Sequence, residues 1–182
     1  MKRRKGRKAT STWRTLPRGE LRGEFAIAEG AVLAIERILP SFRGPDGDHE
    51  GIVFLLGREL EALTLLTTAL APDADHGPGH VICEPNAVAA AQRAGRDSGL
   101  ALLAQLHSHP TDWIEHSEGD DELVLMPFEG MLSIVAPWYG RVGLQPLHGL
   151  GVHQFQNGRW VLAEPGSVRE HLRVLPAEID LR

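Results

Sequence analysis

Cysteine is almost absent from this sequence, because only Cys83 occurs among its 182 residues. A single thiol excludes an internal disulfide framework and a structural zinc site built from several cysteines. It also excludes the zinc nucleobase deaminases, which need a Cys-x-x-Cys pair. We therefore expect a reducing, cytoplasmic setting.

Long hydrophobic runs are also missing. No segment approaches the roughly 20 apolar residues that a helix needs to span a bilayer. The first residues, MKRRKGRK, have the positive start of a signal peptide, but the apolar stretch that should follow is absent. Hydrophobic residues form 42% of the chain and charged residues 24%, which is typical of a globular protein that works away from membranes.

Positive charge is concentrated at the N-terminus. The net charge is -5, yet the first eight residues include six basic ones, Lys2, Arg3, Arg4, Lys5, Arg7 and Lys8. A run this short is better explained as a solubilising end than as a nucleic-acid contact. Nucleic acid is therefore not an expected partner.

The length of the chain favours one domain. We predict a basic, disordered tail over 1–20, one domain over 21–164 and a C-terminal extension over 165–182.

Apolar spacing predicts a mixture of helices and strands. Helices are predicted over 24–39, which Pro40 ends, and over 85–99, between Pro85 and Gly99. Strands are predicted over 51–57, 62–70, 100–106, 131–136, 144–156 and 159–162, with a hairpin turn at Asn157-Gly158 before the last. Residues 41–50 and 72–79 are predicted as loops. This mixture indicates an α/β sheet with helices packed on it.

The most informative segment is 106–122, LHSHPTDWIEHSEGDDE. His107 and His109 are two residues apart, so on an extended strand both rings lie on the same side. Asp120 follows after a loop, three residues from Ser117 on a predicted helical turn over 117–124. Two imidazoles and one carboxylate are a common ligand set for catalytic zinc, with the fourth position left to water. Simpler interpretations also exist: Ser117 and Asp120 match a helix N-cap, and the histidines match polar groups at a strand end.

This spacing resembles the JAMM motif of the JAB/MPN metalloproteases. In that motif His-x-His-Pro is followed by a serine eight positions after the second histidine, and by an aspartate three further on. The family also has a glutamate placed before a buried strand, commonly seven residues ahead of a glycine. Glu50 and Gly57 match that pattern.

The resemblance covers roughly residues 25–136. It implies a single JAB/MPN-like domain in which helices flank a mixed, mostly antiparallel, curved sheet. It also implies one zinc ion, Zn2+, per chain, with His107, His109 and Asp120 as metal ligands. Glu50 would act as the general base, and Ser117 would stabilise the oxyanion.

Trp113 and His116 lie between the motif histidines and Ser117. Both are candidate substrate contacts, although Trp113 could instead anchor the loop by packing and His116 is more simply explained as a surface residue. His49 is also predicted at the surface, and Asp121 is predicted either to support the site from behind or to be exposed. The remaining histidines show no ligand spacing, so a second zinc ion is not expected; they are His76, His80, His148, His153 and His171.

The resemblance also implies a substrate. Members of the family cut isopeptide or peptide bonds after the C-terminal tail of ubiquitin or ubiquitin-like proteins. The short chain resembles the compact bacterial members, so we expect deconjugation or precursor maturation of a ubiquitin-like protein, in a conjugation or antiviral defence operon. Partners would be that protein, its conjugates, and E1- and E2-like proteins of the operon. The tail is expected to bind as a strand added to a sheet edge.

Three alternatives stay open. Processing of a sulfur-carrier protein in cofactor biosynthesis would use the same site. A metal-dependent phosphoesterase also places His-x-His at a strand end, but it normally recruits several further His and Asp ligands. A JAB/MPN scaffold that only binds partners predicts broken ligands, whereas all the motif residues are present.

Overall fold

The computed structural model describes residues 16–123 and 127–177. Most of the tail predicted over 1–20, and the end of the chain from 178, lie outside the described residues. The strands are β1 (Arg18–Gly19), β2 (Phe25–Ala28), β3 (Arg43–Gly44), β4 (Gly47–Asp48), β5 (Ile52–Glu59), β6 (Thr64–Leu70), β7 (Asp75–Gly77), β8 (His80–Ile82), β9 (Ala101–Ser108), β10 (Leu132–Ala136), β11 (Gly151–Gln156), β12 (Arg159–Ala163) and β13 (Leu172–Leu175). The helices are α1 (Glu29–Ile38), α2 (Pro85–Asp97), α3 (Glu118–Leu123) and α4 (Pro165–His171), with 3-10 turns at Leu39–Ser41, Trp138–Gly140 and Leu147–Gly149.

Within the described residues, nine strands form the main sheet in the order β1-β12-β11-β10-β9-β5-β6-β2-β13. Four neighbouring pairs are antiparallel and four are parallel. The prediction of a mixed α/β domain is therefore confirmed, although parallel pairs are as numerous as antiparallel ones. The strand pairs β3–β4 and β7–β8 form two separate hairpins.

Helices cover both faces of the sheet. Side chains alternate between the two faces along each strand, so each face has its own set of apolar residues to bury. On one face α1 and α4 pack against the main hydrophobic core, which includes Val53 and Leu106. On the opposite face α2 packs against a second cluster that includes Ile52 and Phe54. His107 is paired with Ile52 across β9 and β5, so its side chain lies on the α2 face.

The helix predicted over 24–39 is wrong in its first turn. The helix α1 begins only at Glu29, whereas Phe25–Ala28 form β2, between β6 and β13. Phe25, Ala26 and Ile27 are all buried. An amphipathic helix turns one face to solvent, but a strand inside a covered sheet buries both faces. The partners of β2 lie far along the chain, so local periodicity does not reveal the strand.

The strand predicted over 144–156 is shorter than expected, since β11 begins at Gly151. The preceding residues include the 3-10 turn Leu147–Gly149. Leu144, Leu147 and Leu150 are nevertheless buried in the main core. Their apolar character therefore comes from packing as an irregular segment, which a hydrophobic pattern alone does not separate from a strand.

Residues 165–175, which we predicted as part of a C-terminal extension, contribute to the folded domain. They form α4 and then β13, which pairs in parallel with β2. Val168 and Leu172 are buried in the main core. His171 and Arg173 both contact the carboxylate of Glu24, next to β2. The sheet therefore continues beyond the boundary predicted at residue 164.

The predicted hairpin turn at Asn157-Gly158 is confirmed, and close packing between β5 and β6 explains the glycine at position 57. Asn157 and Gly158 have φ values of 52° and 78°, as a type I′ hairpin turn requires. A Cβ atom on Gly57 would lie 1.9 Å from the carbonyl oxygen of Leu65, so only glycine allows β6 to approach β5 there. The loops predicted over 41–50 and 72–79 instead contain parts of the two hairpins. No helix in the described part of the chain is long and apolar enough to cross a membrane.

Candidate metal centre

The end of β9 carries the two motif histidines, as predicted. His107 and His109 are each 3% exposed. The backbone of His109 is fixed on both sides, because its N–H donates to the carbonyl of Ala136 at 2.9 Å and its carbonyl accepts from Tyr139 N–H at 2.8 Å. The two ring Nε2 atoms lie 3.2 Å apart. The strand therefore brings both imidazoles to one point.

The start of α3 brings Asp120 to the same point. Its Oδ2 atom lies 3.2 Å from Nε2 of His109 and 3.5 Å from Nε2 of His107. The same oxygen accepts a hydrogen bond from Ser117 N–H at 2.7 Å, while Ser117 Oγ accepts from Asp120 N–H at 3.1 Å. This reciprocal pair caps the helix. The capping interpretation is confirmed, and it is compatible with a ligand role for Asp120.

The three atoms form a triangle of the size that a tetrahedral metal ion requires. Ligands about 2.0–2.1 Å from a zinc ion, at tetrahedral angles, are about 3.3–3.4 Å from one another. The sides of the triangle are 3.2, 3.2 and 3.5 Å. Two imidazole nitrogens and one carboxylate oxygen facing a common point are chemically suited to a divalent metal. This group could therefore hold a metal ion.

The ring of His109 is oriented by Trp113. Nδ1 of His109 donates a hydrogen bond to the carbonyl oxygen of Trp113 at 2.9 Å, so the lone pair for a metal is on Nε2. The indole ring also stacks on the imidazole, with centroids 4.9 Å apart and an interplanar angle of 15°. The packing interpretation of Trp113 is thus confirmed, and its contact with substrate stays a prediction.

Glu50 reaches the site through the register of two strands. Ile52 pairs with His107 at the end of the antiparallel β5–β9 ladder, so the residues just before β5 lie near the residues just after β9. Gly51 N–H donates to Ser108 Oγ, and Ser108 N–H donates to the Gly51 carbonyl, each at 3.0 Å. The side chain of Glu50 is buried, with 8% exposed. The charges of His109 and Asp120 act on its carboxyl, so Glu50 lies near these two candidates, and its role as the general base stays a prediction.

The pKa values of these groups depend on their burial and on the charges of their neighbours in the site. Burial opposes ionisation of Asp120, but His107 and His109 together hold its pKa well below the usual range. Burial would lower the pKa of His109, yet the hydrogen bond and charge of Asp120 raise it overall. Burial raises the pKa of Glu50 to about 7, with Asp120 adding to the rise and His109 opposing it. The site thus holds one firmly ionised carboxylate and one carboxyl that titrates near neutral pH.

The raised pKa of Glu50 predicts that the stability of the metal-free protein depends on pH. The ordinary pKa of the Glu50 carboxyl is 4.5 and the folded value is about 7, so the folded state binds the proton more tightly. The free energy of unfolding should therefore fall as pH rises from about 4.5 to about 7. Gln cannot ionise, so Glu50→Gln should be more stable than the wild type by about 3 kcal/mol at pH 8, and nearly equal to it at pH 4. Urea unfolding after chelation measures both differences.

Glu59→Gln, at an exposed position on the same strand, is the matched control and should show no such pH dependence. An equal stability difference for Glu50→Gln at pH 4 and pH 8 would contradict the titration of Glu50.

The surface prediction for His116 is wrong, and with it the predicted contact with substrate. Its side chain is only 1% exposed, because Ser133 and His153 on β10 and β11 cover it. Nδ1 of His116 lies 3.0 Å from Asp121 Oδ1. Asp121 therefore holds a residue next to the site, in agreement with the predicted supporting role. Acidic sequence neighbours suggested a surface position, but the covering residues come from distant strands.

The surface prediction for His49 is also wrong. His49 is 8% exposed, with Nε2 2.6 Å from Asp46 Oδ1 and Nδ1 2.7 Å from Nδ1 of His76. These contacts join the hairpin β3–β4 to the hairpin β7–β8, next to Glu50 in the chain. Strand pairing and the hairpins create this burial, and the sequence spacing of the three residues contains no signal for it.

Trp138 and Tyr139 are further residues at this end of the sheet that motif spacing did not indicate. Both have left-handed φ values, 55° and 56°, which are uncommon for bulky residues. Trp138 N–H donates to the carbonyl of Thr111 at 3.0 Å, and Tyr139 Oη donates to the carbonyl of Pro78 at 2.9 Å. The strained turn therefore connects the loop after His109 with hairpin β7–β8, and it leaves Trp138 46% exposed.

Comparisons with known proteins support the fold and leave the activity open. No protein-family model and no curated protein sequence matches the chain. Among solved structures the chain is similar to protein DSY2949 from Desulfitobacterium hafniense, with a TM-score of 0.59 and 14% identity over 85% of this chain and 94% of that one. It is also similar to AF2198, a JAB1/MPN domain protein from Archaeoglobus fulgidus, with a TM-score of 0.45 and 16% identity over 78% of this chain and 96% of that one. The first likeness shows a shared fold alone, and the second is too low to carry an argument.

Proposed function

We propose that this protein is a zinc-dependent peptidase or isopeptidase of the JAB/MPN type, which cleaves after the C-terminal tail of a ubiquitin-like protein. The observation that carries the proposal is the meeting of a three-ligand group with the buried carboxyl of Glu50, on which the charges of His109 and Asp120 act. A metal site and a carboxyl that exchanges protons near neutral pH are the two parts that metal-assisted hydrolysis of a peptide bond needs.

Zinc suits the proposed ligands, since His107 and His109 offer imidazole nitrogens and Asp120 offers a carboxylate oxygen. When bound, zinc supplies Lewis acidity, which lowers the pKa of a water in its open position to about 7 and polarises a substrate carbonyl. Three protein ligands leave one tetrahedral position open, as in catalytic sites. Within the described residues no second group of three ligands has this spacing, which disfavours a phosphoesterase site with several metals.

Glu50 acts as the general base in this proposal. It accepts a proton from the attacking water and passes it to the departing amine. A buried carboxyl beside the metal-binding candidates is suited to both steps, because it can take up and release a proton within one cycle. The backbone amide of Glu50 donates to the carbonyl of Gly77 at 2.9 Å, which fixes the position from which the side chain works.

Ser117 stabilises the oxyanion that develops on the scissile carbonyl. Its Oγ accepts a hydrogen bond from the amide of Asp120 at 3.1 Å, so the hydroxyl hydrogen remains available to donate. A donor directed at the oxygen that becomes negative stabilises the transition state more than the bound substrate. Because the same capping pair orients Asp120, one helix start would supply a metal ligand and an oxyanion donor.

The proposed substrate is an extended, glycine-rich tail. The edges of the main sheet, β1 and β13, are separated from β9 and β5 by other strands, so a tail added there would not reach the metal site. Hairpin β7–β8 is nearer, since Gly77 contacts Glu50, and β8 pairs only with β7 among the described strands. We therefore propose that the tail adds to this hairpin and that exposed Trp138 contacts it near the scissile bond. E1- and E2-like proteins of the same pathway are the proposed further partners.

Cleavage of a defined fusion tests the proposal. Zinc-loaded protein should cut a ubiquitin-like protein fused through its Gly-Gly tail to a reporter, directly after the second glycine, and mass spectrometry of the products identifies the bond. Replacing both tail glycines by valine should abolish cleavage, because the proposed substrate is a glycine-rich tail. The same reporter on an unrelated flexible linker is the matched control and should stay intact.

Two other outcomes would redirect the proposal. Cleavage of a sulfur-carrier fusion, with none of a ubiquitin-like fusion, would move the substrate class to cofactor biosynthesis. Hydrolysis of bis-p-nitrophenyl phosphate, with every fusion left intact, would show that the peptidase proposal is wrong.

A further inference from the structure

A buried histidine lies immediately before the segment that carries Ser117 and Asp120. His116 and Asp121 flank this segment on its two sides, and their side chains contact each other, with Nδ1 and Oδ1 3.0 Å apart. Since a carboxylate only accepts, Nδ1 of His116 donates this bond. The contact therefore closes a small loop around the two residues on which the proposed site depends.

The other ring nitrogen connects this loop to the sheet. Nε2 of His116 lies 2.9 Å from Oγ of Ser133 on β10, and Gln105 Nε2 donates to the same oxygen at 3.1 Å. With Nδ1 protonated, Nε2 of the neutral ring accepts from the serine hydroxyl. The bonds then run in one direction, from Gln105 through Ser133 and His116 to Asp121.

Packing holds the same ring in place. The imidazole of His153 on β11 stacks on His116, with centroids 3.9 Å apart and an interplanar angle of 21°, and the edge of Trp160 lies 5.1 Å away. Two residues before His116, the backbone of Ile114 lies directly on the sheet. A Cβ atom on Gly151 would come 1.8 Å from the carbonyl oxygen of Ile114, so glycine is required for this approach. The segment thus lies flat against β11.

The polar character of this region carries a cost in stability. Gln105 Oε1, His153 Nε2 and Trp160 Nε1 are buried without a hydrogen-bond partner among the described residues. Each such group lowers the free energy of unfolding by about 1–3 kcal/mol, so apolar side chains of similar volume would give a more stable core. Stability alone therefore does not explain why a polar chain is kept directly behind the metal-binding candidates.

We propose that His116 is a positioning residue for the metal centre. Through Asp121 on one side and Ser133 on the other, it sets where Ser117 and Asp120 stand relative to the two motif histidines. Neither the JAMM spacing nor the ligand group includes it. The inference rests on the proposed function, because positioning is defined here by its effect on zinc binding and on the oxyanion contact.

Substitutions at His116 separate its two hydrogen bonds from its packing. Phe keeps a flat ring for stacking on His153 but makes neither bond, whereas Asn keeps a donor near Nδ1 for Asp121. His116→Phe should bind zinc about 10- to 100-fold more weakly than the wild type, which is the usual effect of losing a group that orients a ligand. His116→Asn should recover part of that loss. In the metal-free protein, His116→Phe should also speed hydrogen exchange at the amides of Ser117 and Asp120.

Chelator competition gives the zinc affinities and amide exchange by NMR gives the local order, with His148→Asn as the control away from the chain of bonds. Unchanged zinc affinity and unchanged exchange in a folded His116→Phe protein would overturn the inference. Should that variant not fold, Ser133→Ala and Asp121→Ala each remove one of the two hydrogen bonds to His116, and both must weaken zinc binding for the inference to stand. If the wild-type protein binds no zinc, the proposed function fails instead, while the exchange measurement still tests whether His116 orders the segment.

Discussion

Glu50→Gln should abolish peptide cleavage and leave zinc bound. The amide keeps the size of the side chain and its burial, but it cannot accept a proton from water at neutral pH. Loss of a positioned general base lowers kcat by about 10²- to 10⁴-fold. Zinc content should not fall, since Glu50 lies outside the three-atom triangle formed by His107, His109 and Asp120. Single-turnover cleavage of the tail fusion, with metal analysis of the same sample, measures both quantities.

The pH dependence of cleavage gives a second test of Glu50 as the general base. Wild-type kcat/KM should rise with pH through the pKa of the ionising Glu50 carboxyl, because only the ionised form is a base. Glu50→Gln should lose that rise together with the activity. Glu59→Gln, at an exposed position on the same strand, should keep both. A Glu50→Gln enzyme with wild-type kcat would remove Glu50 from the mechanism.

Asp120→Asn should remove zinc binding while keeping the start of α3. The Asn oxygen can still accept the hydrogen bond from Ser117 N–H, and Asn is a good capping residue, so the cap survives. The charge that balances the metal and the anionic ligand oxygen are lost. Because removing a group that only orients a ligand costs about 10- to 100-fold in affinity, loss of the ligand itself should cost more than about 100-fold. His107→Ala should show a loss of at least this size.

Thermal unfolding with and without zinc measures this prediction independently of activity. Zinc at a hundred times its Kd should stabilise the wild-type fold by about 2.7 kcal/mol, and it should leave Asp120→Asn almost unaffected at the same concentration. Asp97→Asn, at the exposed end of α2, is the matched control and should respond as the wild type does. An equal zinc response in Asp120→Asn would mean that this carboxylate is a helix cap and not a ligand.

The histidine and aspartate ligands could be predicted from sequence because each relation among them is local. Alternation along a strand puts His107 and His109 on one side, and a capped helix start places Ser117 and Asp120 together. Only the meeting of the strand end with the helix start needed the fold. The Asn157-Gly158 turn and the limits of α2 were predictable for the same reason, since glycine and proline act on their immediate neighbours.

Residues whose position depends on distant strands were predicted poorly or incompletely. The acidic sequence neighbours of His116 predicted a surface position, yet Ser133 and His153 bury it. Phe25 to Ala28 fit a helical pattern, but pairing with β6 and β13 makes them a strand whose first three residues are buried.

The sequence by itself determined the metal-binding candidates, the α/β class and the motif spacing between Glu50 and Gly57. Only the tertiary structure decided that Glu50 lies within reach of the charges of His109 and Asp120, because the register of β5 on β9 joins residues that lie more than fifty positions apart. It also decided the burial that raises the pKa of Glu50 and the chain of bonds behind Asp120. Burial and register are properties of neighbours in space, and one-dimensional spacing contains them only where those neighbours are also close in sequence.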